Sequence, residues 1–303
     1  TYVGGSPFNS PSILSLIWHV ECQGVWRIAG GMYDLVKQIE TISKRSNASF
    51  FYKNKVKKIL MKNNEINGIE LKNNKVIDCD TIIFNGDPKA LFDGLLGDEI
   101  QNAVSNNNIN KRSLSAYVWS FAAKTQGLDL LHHNVLFNKN YKTEFDDIKR
   151  GEIPKDPTLY ICAQGSINNP RPKEKSLGRF EIIINGSPTY NHKKYNKQKE
   201  YTKCREITFS ILDSMGLKMD LKPTEEMLTT PKEFDQLFPG SQGSLYGRTP
   251  HGISSTFMRP RNKSKIKGLL LAGGGTHPGA GIPMACLSGK HAAEMILKDL
   301  SLT

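Results

Sequence analysis

Leu269-Leu-Leu-Ala272-Gly-Gly-Gly-Thr-His-Pro-Gly279-Ala-Gly-Ile-Pro-Met284 is the stretch whose reading decides the fold. An apolar run ends in a loop with glycines at 273, 274, 275, 279 and 281. Glycine lets a backbone pass close to a ligand, because no Cβ stands in the way. Residues 282–300 then carry helical spacing, so the loop opens a helix. A helix N-terminus offers unpaired N–H groups and a positive dipole end, which suit an electron-rich ligand. Pro283 brings no N–H to the first turn, so the donors there come from Ile282, Met284 and Ala285. The same pattern also suits a tight strand-to-helix connection with no ligand. It is not a P-loop, because no Gly-Lys-Ser/Thr follows, and G-x-G-x-x-G occurs nowhere in the chain.

Working outward, Ser10 and Pro11 are placed to start a helix over 13–20. A short strand is expected at 24–28, then Gly30-Gly31, then a helix with Leu35, Val36, Ile39 and Ile42 on one face. Residues 49–85 turn to β character. Phe50 and Tyr52 alternate with polar residues, and Asn63-Asn64 and Asn73-Asn74 mark turns of an antiparallel meander. Residues 81–85 are nearly continuous in apolar character, which predicts a buried parallel strand. Asp87-Pro88 caps a short helix. Segments 114–122, 134–137, 158–163 and 180–185 alternate and predict a separate antiparallel sheet. A helix through Tyr201, Cys204, Ile207 and Ile211 ends at Gly216. The fold class is therefore α/β plus α+β. Residues 30–86 and 256–303 would form a discontinuous α/β unit, and 1–29 and 87–255 a second unit with the antiparallel sheet and helices.

The length of 303 residues favours about two domains. Apolar residues at 38% and charged residues at 23% exclude a disordered tail. The five cysteines form no C-x-x-C pair, which argues against a disulfide framework or a zinc ribbon and suits a reducing compartment. The net charge of +12 is compatible with nucleic acid or an anionic membrane. The excess is mostly Lys in Asn-rich loops, as AT-rich coding also produces. A nucleic-acid binder needs clustered Arg with aromatic stacking positions, and the Lys here are dispersed, so no nucleic-acid partner is expected. No run reaches the ~20 apolar residues of a membrane span, and no secretory signal is visible. The chain begins at Thr1, so an N-terminal portion is expected to be missing.

Residues 273–293 (GGGTHPGAGIPMACLSGKHAA) resemble the C-terminal flavin segment of bacterial carotenoid (phytoene-type) desaturases, in the amine-oxidase-like flavoprotein superfamily. Residues 2–8 (YVGGSPF) and 24–32 (GVWRIAGGM) resemble further segments of that family, and the similarity covers nearly the whole chain. Residues 132–135, 158–164 and 229–248 look most like the branch acting on hydroxylated or methoxylated carotenoids, the 1-hydroxycarotenoid 3,4-desaturase type. The resemblance implies FAD as cofactor, a carotenoid substrate, and the C-terminal part of a two-domain Rossmann-type oxidoreductase whose nucleotide-binding βαβ unit is missing. It implies contacts from Gly273 and Gly274 to the ribityl-pyrophosphate region, and from Ile282 and Met284 to the isoalloxazine edge, with Gly281 shaping the loop. Val56 sits where the superfamily contacts adenine, although an ordinary strand residue reads the same way. A lipid-soluble substrate implies a cytoplasmic enzyme held peripherally at the inner membrane, with the 13–20 helix as either core or membrane dip. The oligomeric state is not legible.

Desaturation removes a hydride and a proton from a saturated C–C bond, and flavin carries the redox step. No Ser-His-Asp or Cys-His set is apparent. His277, inside the loop, and His132 and His133 are the polar candidates for the site. Neighbours on a strand face opposite ways, so only one of His132 and His133 is expected to point to a site. No Cys or carboxylate lies near them at metal-ligand spacing in sequence, so no metal is expected. Trp26, Trp119 and Tyr246 are candidates to line an apolar tunnel, with core packing as the alternative. Other readings are a retinol-saturase-like or amine-oxidase-like flavoenzyme, and a non-catalytic carotenoid- or lipid-binding remnant.

Overall fold

The computed structural model describes residues 3–164, 177–191, 196–252 and 255–301. Tyr2, at the head of the YVGGSPF segment, lies outside the described residues. Near the N-terminus the chain is less regular than its apolar spacing suggests. A 3-10 turn at Ser12–Leu14, preceded by Pro11, leads into α1 (Ser15–Glu21). Ser10 does not cap it, since its hydroxyl donates to the Ser6 carbonyl at 2.8 Å. Residues 24–28 form no strand. Gly24, Gly30 and Gly31 all take positive φ, so the backbone turns instead of extending. α2 (Met32–Arg45) follows as expected. Phe50 and Tyr52 stack with ring centroids 6.0 Å apart, but they belong to a loop that Lys53 bends at φ 59°.

The meander forms as its turns dictate. β1 (Val56–Lys62) and β2 (Glu65–Leu71) pair antiparallel across Asn63 and Asn64, both at positive φ, as a tight hairpin requires. β3 (Val76–Asp78) completes it beside β2. β4 (Ile82–Phe84) then leaves the meander. The Asp87 carboxylate accepts the Lys89 N–H at 2.9 Å and caps α3 (Pro88–Phe92). A short α4 (Asn106–Ile109) leads to the long strand β5 (Ser115–Gly127).

β5, β6 (His133–Leu136), then past α5 (Tyr141–Lys149) β7 (Leu159–Gln164) and β8 (Gly178–Gly186) build the expected antiparallel sheet, in the order β5-β8-β7-β6. Alternation puts Tyr117, Trp119, Phe121, Ile161 and Ile182 on one face. α6 (Lys197–Ser214) covers that face through Cys204 and Leu212. β9 (Leu217–Asp220) and β10 (Leu228–Thr229) pair with opposite ends of β5. α7 (Pro231–Leu237) starts on a Thr230/Glu233 capping box. The chain closes with β11 (Leu269–Leu271) and α8 (Ile282–Ser301).

β11 lies parallel to β4, with Leu269 beside Ile82 and Leu271 beside Phe84. The parallel prediction therefore holds, but Ile83 is 42% exposed, so β4 is covered on one side only. A second core gathers Ile59, Ile66, Leu269 and Leu271 with Leu91, Ile100 and Ile109. The last three come from a segment that the sequence reading placed with the antiparallel sheet.

One buried acid joins α5 to that sheet. Glu144 is 1% exposed. It accepts hydrogen bonds from the Thr158 N–H and hydroxyl at 3.1 and 2.9 Å, from Asn138 at 2.9 Å and from Asn185 at 2.8 Å. Glu144→Leu would orphan all these donors, so stability should fall by about 2–4 kcal/mol. The check is the urea midpoint of the full-length protein. An unchanged midpoint would refute the clamp.

Candidate functional site

The glycine loop is fixed from behind. Gly273 turns at φ 101°, and a Cβ there would lie 2.4 Å from Asn85 Oδ1. Its N–H donates to Ser288 Oγ at 2.7 Å. Asn262 Nδ2 donates to the Leu271 carbonyl at 2.9 Å and to the Ser288 carbonyl at 2.8 Å, which welds β11 to α8. Arg259 is 7% exposed. Its Nη1 donates to the carbonyls of Tyr246 at 2.7 Å and Gly274 at 2.9 Å, and Nη2 donates to that of Arg248 at 3.1 Å. Burial above all, then the charges of Arg112 and Arg248, push its pKa down to about 10, while Asp87 opposes them. The guanidinium thus stays charged at neutral pH. Arg112, with its side chain 1% exposed, pairs with Asp87 and donates to the Ser241 carbonyl. Sequence reasoning missed Arg112, Arg259, Asn262 and Ser288. No sequence signal separates buried Arg259 from exposed Arg261.

The front of the loop is open. The N–H groups of Gly274, Ile282 and Met284 have no partner among the described residues. The expected donor set needs two corrections. The Ala285 N–H is taken by the Gly281 carbonyl at 2.9 Å, and the Gly273 N–H by Ser288, so neither is free for a ligand. Gly281 sits at φ 99°, with nothing within 4 Å of where a Cβ would be. Ile282 and Met284 are 51% and 40% exposed and form an apolar lip beside the free donors. Free amides, open space and an apolar lip suit a flat, electron-rich ring system.

The other predicted residues divide. His277 stands half-buried in the loop, its N–H donating to the Pro260 carbonyl at 2.8 Å. Tyr246 is half-buried and tied to the loop through Arg259, and burial raises its phenol pKa. Val56 opens β1, at the far end from the Asn63-Asn64 turn, after which Glu65 bridges to Lys267. Val56 pairs with Leu71, at the other end of β2 from that bridge. Trp119 is no tunnel residue. It is fully buried in the core against α6, with Nε1 donating to Thr208 Oγ1 at 3.1 Å. Trp26 is 81% exposed on the 24–28 loop. His132 and His133 do not diverge. His132 lies in a bend before β6, where strand alternation does not apply, and the two ring centroids are 4.4 Å apart.

The family model of flavin containing amine oxidoreductases matches residues 212–297, which include the loop. The chain is 45% identical over 99% of its length to a hydroxyneurosporene desaturase of Cereibacter sphaeroides, covering 60% of that protein. By sequence, the chain is similar to carotenoid desaturases. Another relative, a 1-hydroxycarotenoid 3,4-desaturase of a Flavobacterium species, is 29% identical over 98% of the chain and 60% of its own length. A zeta-carotene-forming phytoene desaturase of Myxococcus xanthus is 27% identical over 98% of the chain and 57% of its own length. The chain thus spans about 60% of the length of the carotenoid desaturases it matches. In fold, it resembles an oxidoreductase from Methanosarcina mazei with a TM-score of 0.50 and 14% identity, over 88% of this chain and 54% of that one. That likeness supports the mixed α/β architecture alone.

Arg259→Ala should loosen the loop without melting the sheet. The Thr276 and His277 amides, bonded at 3.1 and 2.8 Å, should exchange faster. An acceleration on the order of tenfold is expected, with β7 and β8 unchanged. Native-state hydrogen exchange checks this, and equal acceleration everywhere would count against a local role for Arg259.

Proposed function

We propose that the whole protein is an FAD-dependent carotenoid desaturase, introducing C=C bonds into an acyclic, hydroxylated carotenoid. The observation that carries this is the glycine loop with its unpaired amides and apolar lip, in a chain 45% identical to a hydroxyneurosporene desaturase. Gly274, Ile282 and Met284 would hold the flavin through their N–H groups, and Gly281 leaves room for it. Bound flavin would accept the hydride, and with it two electrons, from one C–H bond, while the neighbouring C–H bond gives up a proton and the C=C bond forms.

The chain's own residues bind, orient and exclude water. Arg259 holds the loop in shape, so the donors are preorganised. Ile282 and Met284 give an apolar surface along which a polyene can lie. No nucleophile is required, and His277 is the titratable side chain within the loop. In this reading residues 30–86 and 256–303 form the flavin side, joined by the 91–109 segment that packs on the same core. Residues 1–29 and the rest of 87–255 form the substrate side. The ADP half of FAD would be held by a Rossmann unit in a portion of the protein preceding this chain.

The protein is further proposed to work at the cytoplasmic face of the inner membrane. No helix among the described residues is long and apolar enough to cross a membrane. Leu16, Trp18 and Val20 of α1 are 57%, 69% and 63% exposed, and the net charge is +12. Exposed apolar groups on a chain of positive net charge suit an anionic lipid surface.

The full-length protein should copurify with FAD, and Gly281→Leu should lose it. Flavin absorbance per polypeptide is the readout, and full occupancy in the variant would displace the loop from the site. On flotation with anionic vesicles the full-length protein should rise with the lipid, and less so at high salt. Protein that stays at the bottom at low salt rules out the membrane role and leaves the flavin site untouched.

A further inference from the structure

The strand register brings a thiol to the histidine pair. His133 on β6 lies directly opposite Cys162 on β7, so both side chains share one sheet face. From the bend before β6, His132 turns its ring onto the same spot. Its Nε2 lies 3.8 Å from Cys162 Sγ, and the donor atoms of all three residues lie within 4.8 Å of one another. Ligands at about 2.0 Å for nitrogen and 2.3 Å for sulfur around a tetrahedral ion stand roughly 3.5 Å apart. The Nε2–Sγ distance is within a few tenths of that value, and the remaining donor atoms, within 4.8 Å, would close on an ion by a side-chain adjustment. Sequence spacing hid this set, because Cys162 comes from the neighbouring strand.

The hydrogen bonding points the same way. His132 Nδ1 is buried without a well-formed hydrogen bond, the Ala163 backbone being the polar group near the ring, and Nε2 makes a long contact with the thiol. A buried polar group left unsatisfied is a mark of an ion site. His133 Nδ1 meets the Tyr160 hydroxyl at 2.7 Å, and the two rings stack at 27°. That bond fixes the ring and frees Nε2 to coordinate, as an outer partner of a metal histidine does. Burial, and then the neighbouring His133, hold His132 below the ordinary imidazole range, in the neutral form a metal needs. Burial raises the Cys162 thiol, whose proton a metal would displace. Two charges face the cluster and oppose each other: Arg27 toward His132, and Glu181, directly across from Cys162 on β8.

We infer that His132, His133 and Cys162 form a site for one divalent transition-metal ion of borderline softness, of the Zn²⁺ class. Two imidazoles and a thiolate are the donor set such ions prefer over Mg²⁺ or Ca²⁺. His133 is exposed, so the fourth position faces solvent. The ion would pin the bend before β6 to β7, at the outer strand of the sheet. This site stands or falls independently of the flavin reading.

The test is titration of the full-length protein with Co²⁺ under anaerobic, reducing conditions. One Co²⁺ per chain should bind with a thiolate-to-cobalt charge-transfer absorption, and Zn²⁺ should displace it. Cys162→Ala should abolish the band, and the surface substitution His133→Asn should weaken Co²⁺ binding at least tenfold, with far-UV circular dichroism confirming that both variants fold. Absence of the band in the native protein overturns the proposal. So does a band that persists in both variants, since it would come from the exposed thiols Cys22 or Cys286.

Discussion

The arrangement of the site depends on one buried guanidinium. Arg259 spends its charge on three carbonyls, two from the 246–248 segment and one from the glycine loop. A buried cation without such partners is expensive. With them, the planar fork fixes the spacing of two backbone segments at once, which an ammonium does not do. Asp87, paired with Arg112 beside it, provides the compensating negative charge and also caps α3. Loop, helix cap and sheet connection are thereby one electrostatic unit. Its consequence is directional. Every bond of that unit lies behind the loop, and the amides in front are left for something else.

Much of the fold was legible in the sequence, and the reasons are local. The strands of the antiparallel sheet alternate cleanly, the Asn pairs mark hairpin turns, and α8 carries an uninterrupted helical period. The lack of a strand at 24–28 was not legible, because apolar composition suggested extension while the glycines at 24, 30 and 31 take positive φ. The site divides the same way. The glycine loop could be read, since backbone access needs glycine at fixed positions. Arg259 could not, because nothing in its neighbours says which arginine is buried. The convergence of His132, His133 and Cys162 depends on a bend and a cross-strand register, and neither has a period. Trp119 and Trp26 show that an aromatic side chain by itself says little about its surroundings: one is fully buried and the other 81% exposed.

The two faces of the antiparallel sheet are chemically distinct. One is aromatic and aliphatic and sealed by α6. The other carries His133, Cys162, Glu181 and Ser120 in one row across four strands, since their register is continuous. A row of polar groups on a half-open face is what an antiparallel sheet presents to water, and the proposed ion site would lie in that row.

The β4–β11 pair has a consequence for handling the chain. The inner strand is covered, since the Leu271 N–H donates to the Asn262 carbonyl at 2.7 Å and Lys263 bridges Leu270. The outer strand is apolar, and among the described residues no strand pairs with its second edge. A border of unmatched peptide groups beside exposed Ile83 is a template for strand addition. A strand from elsewhere in the full-length protein, or from a second copy, would find its backbone partners at this border.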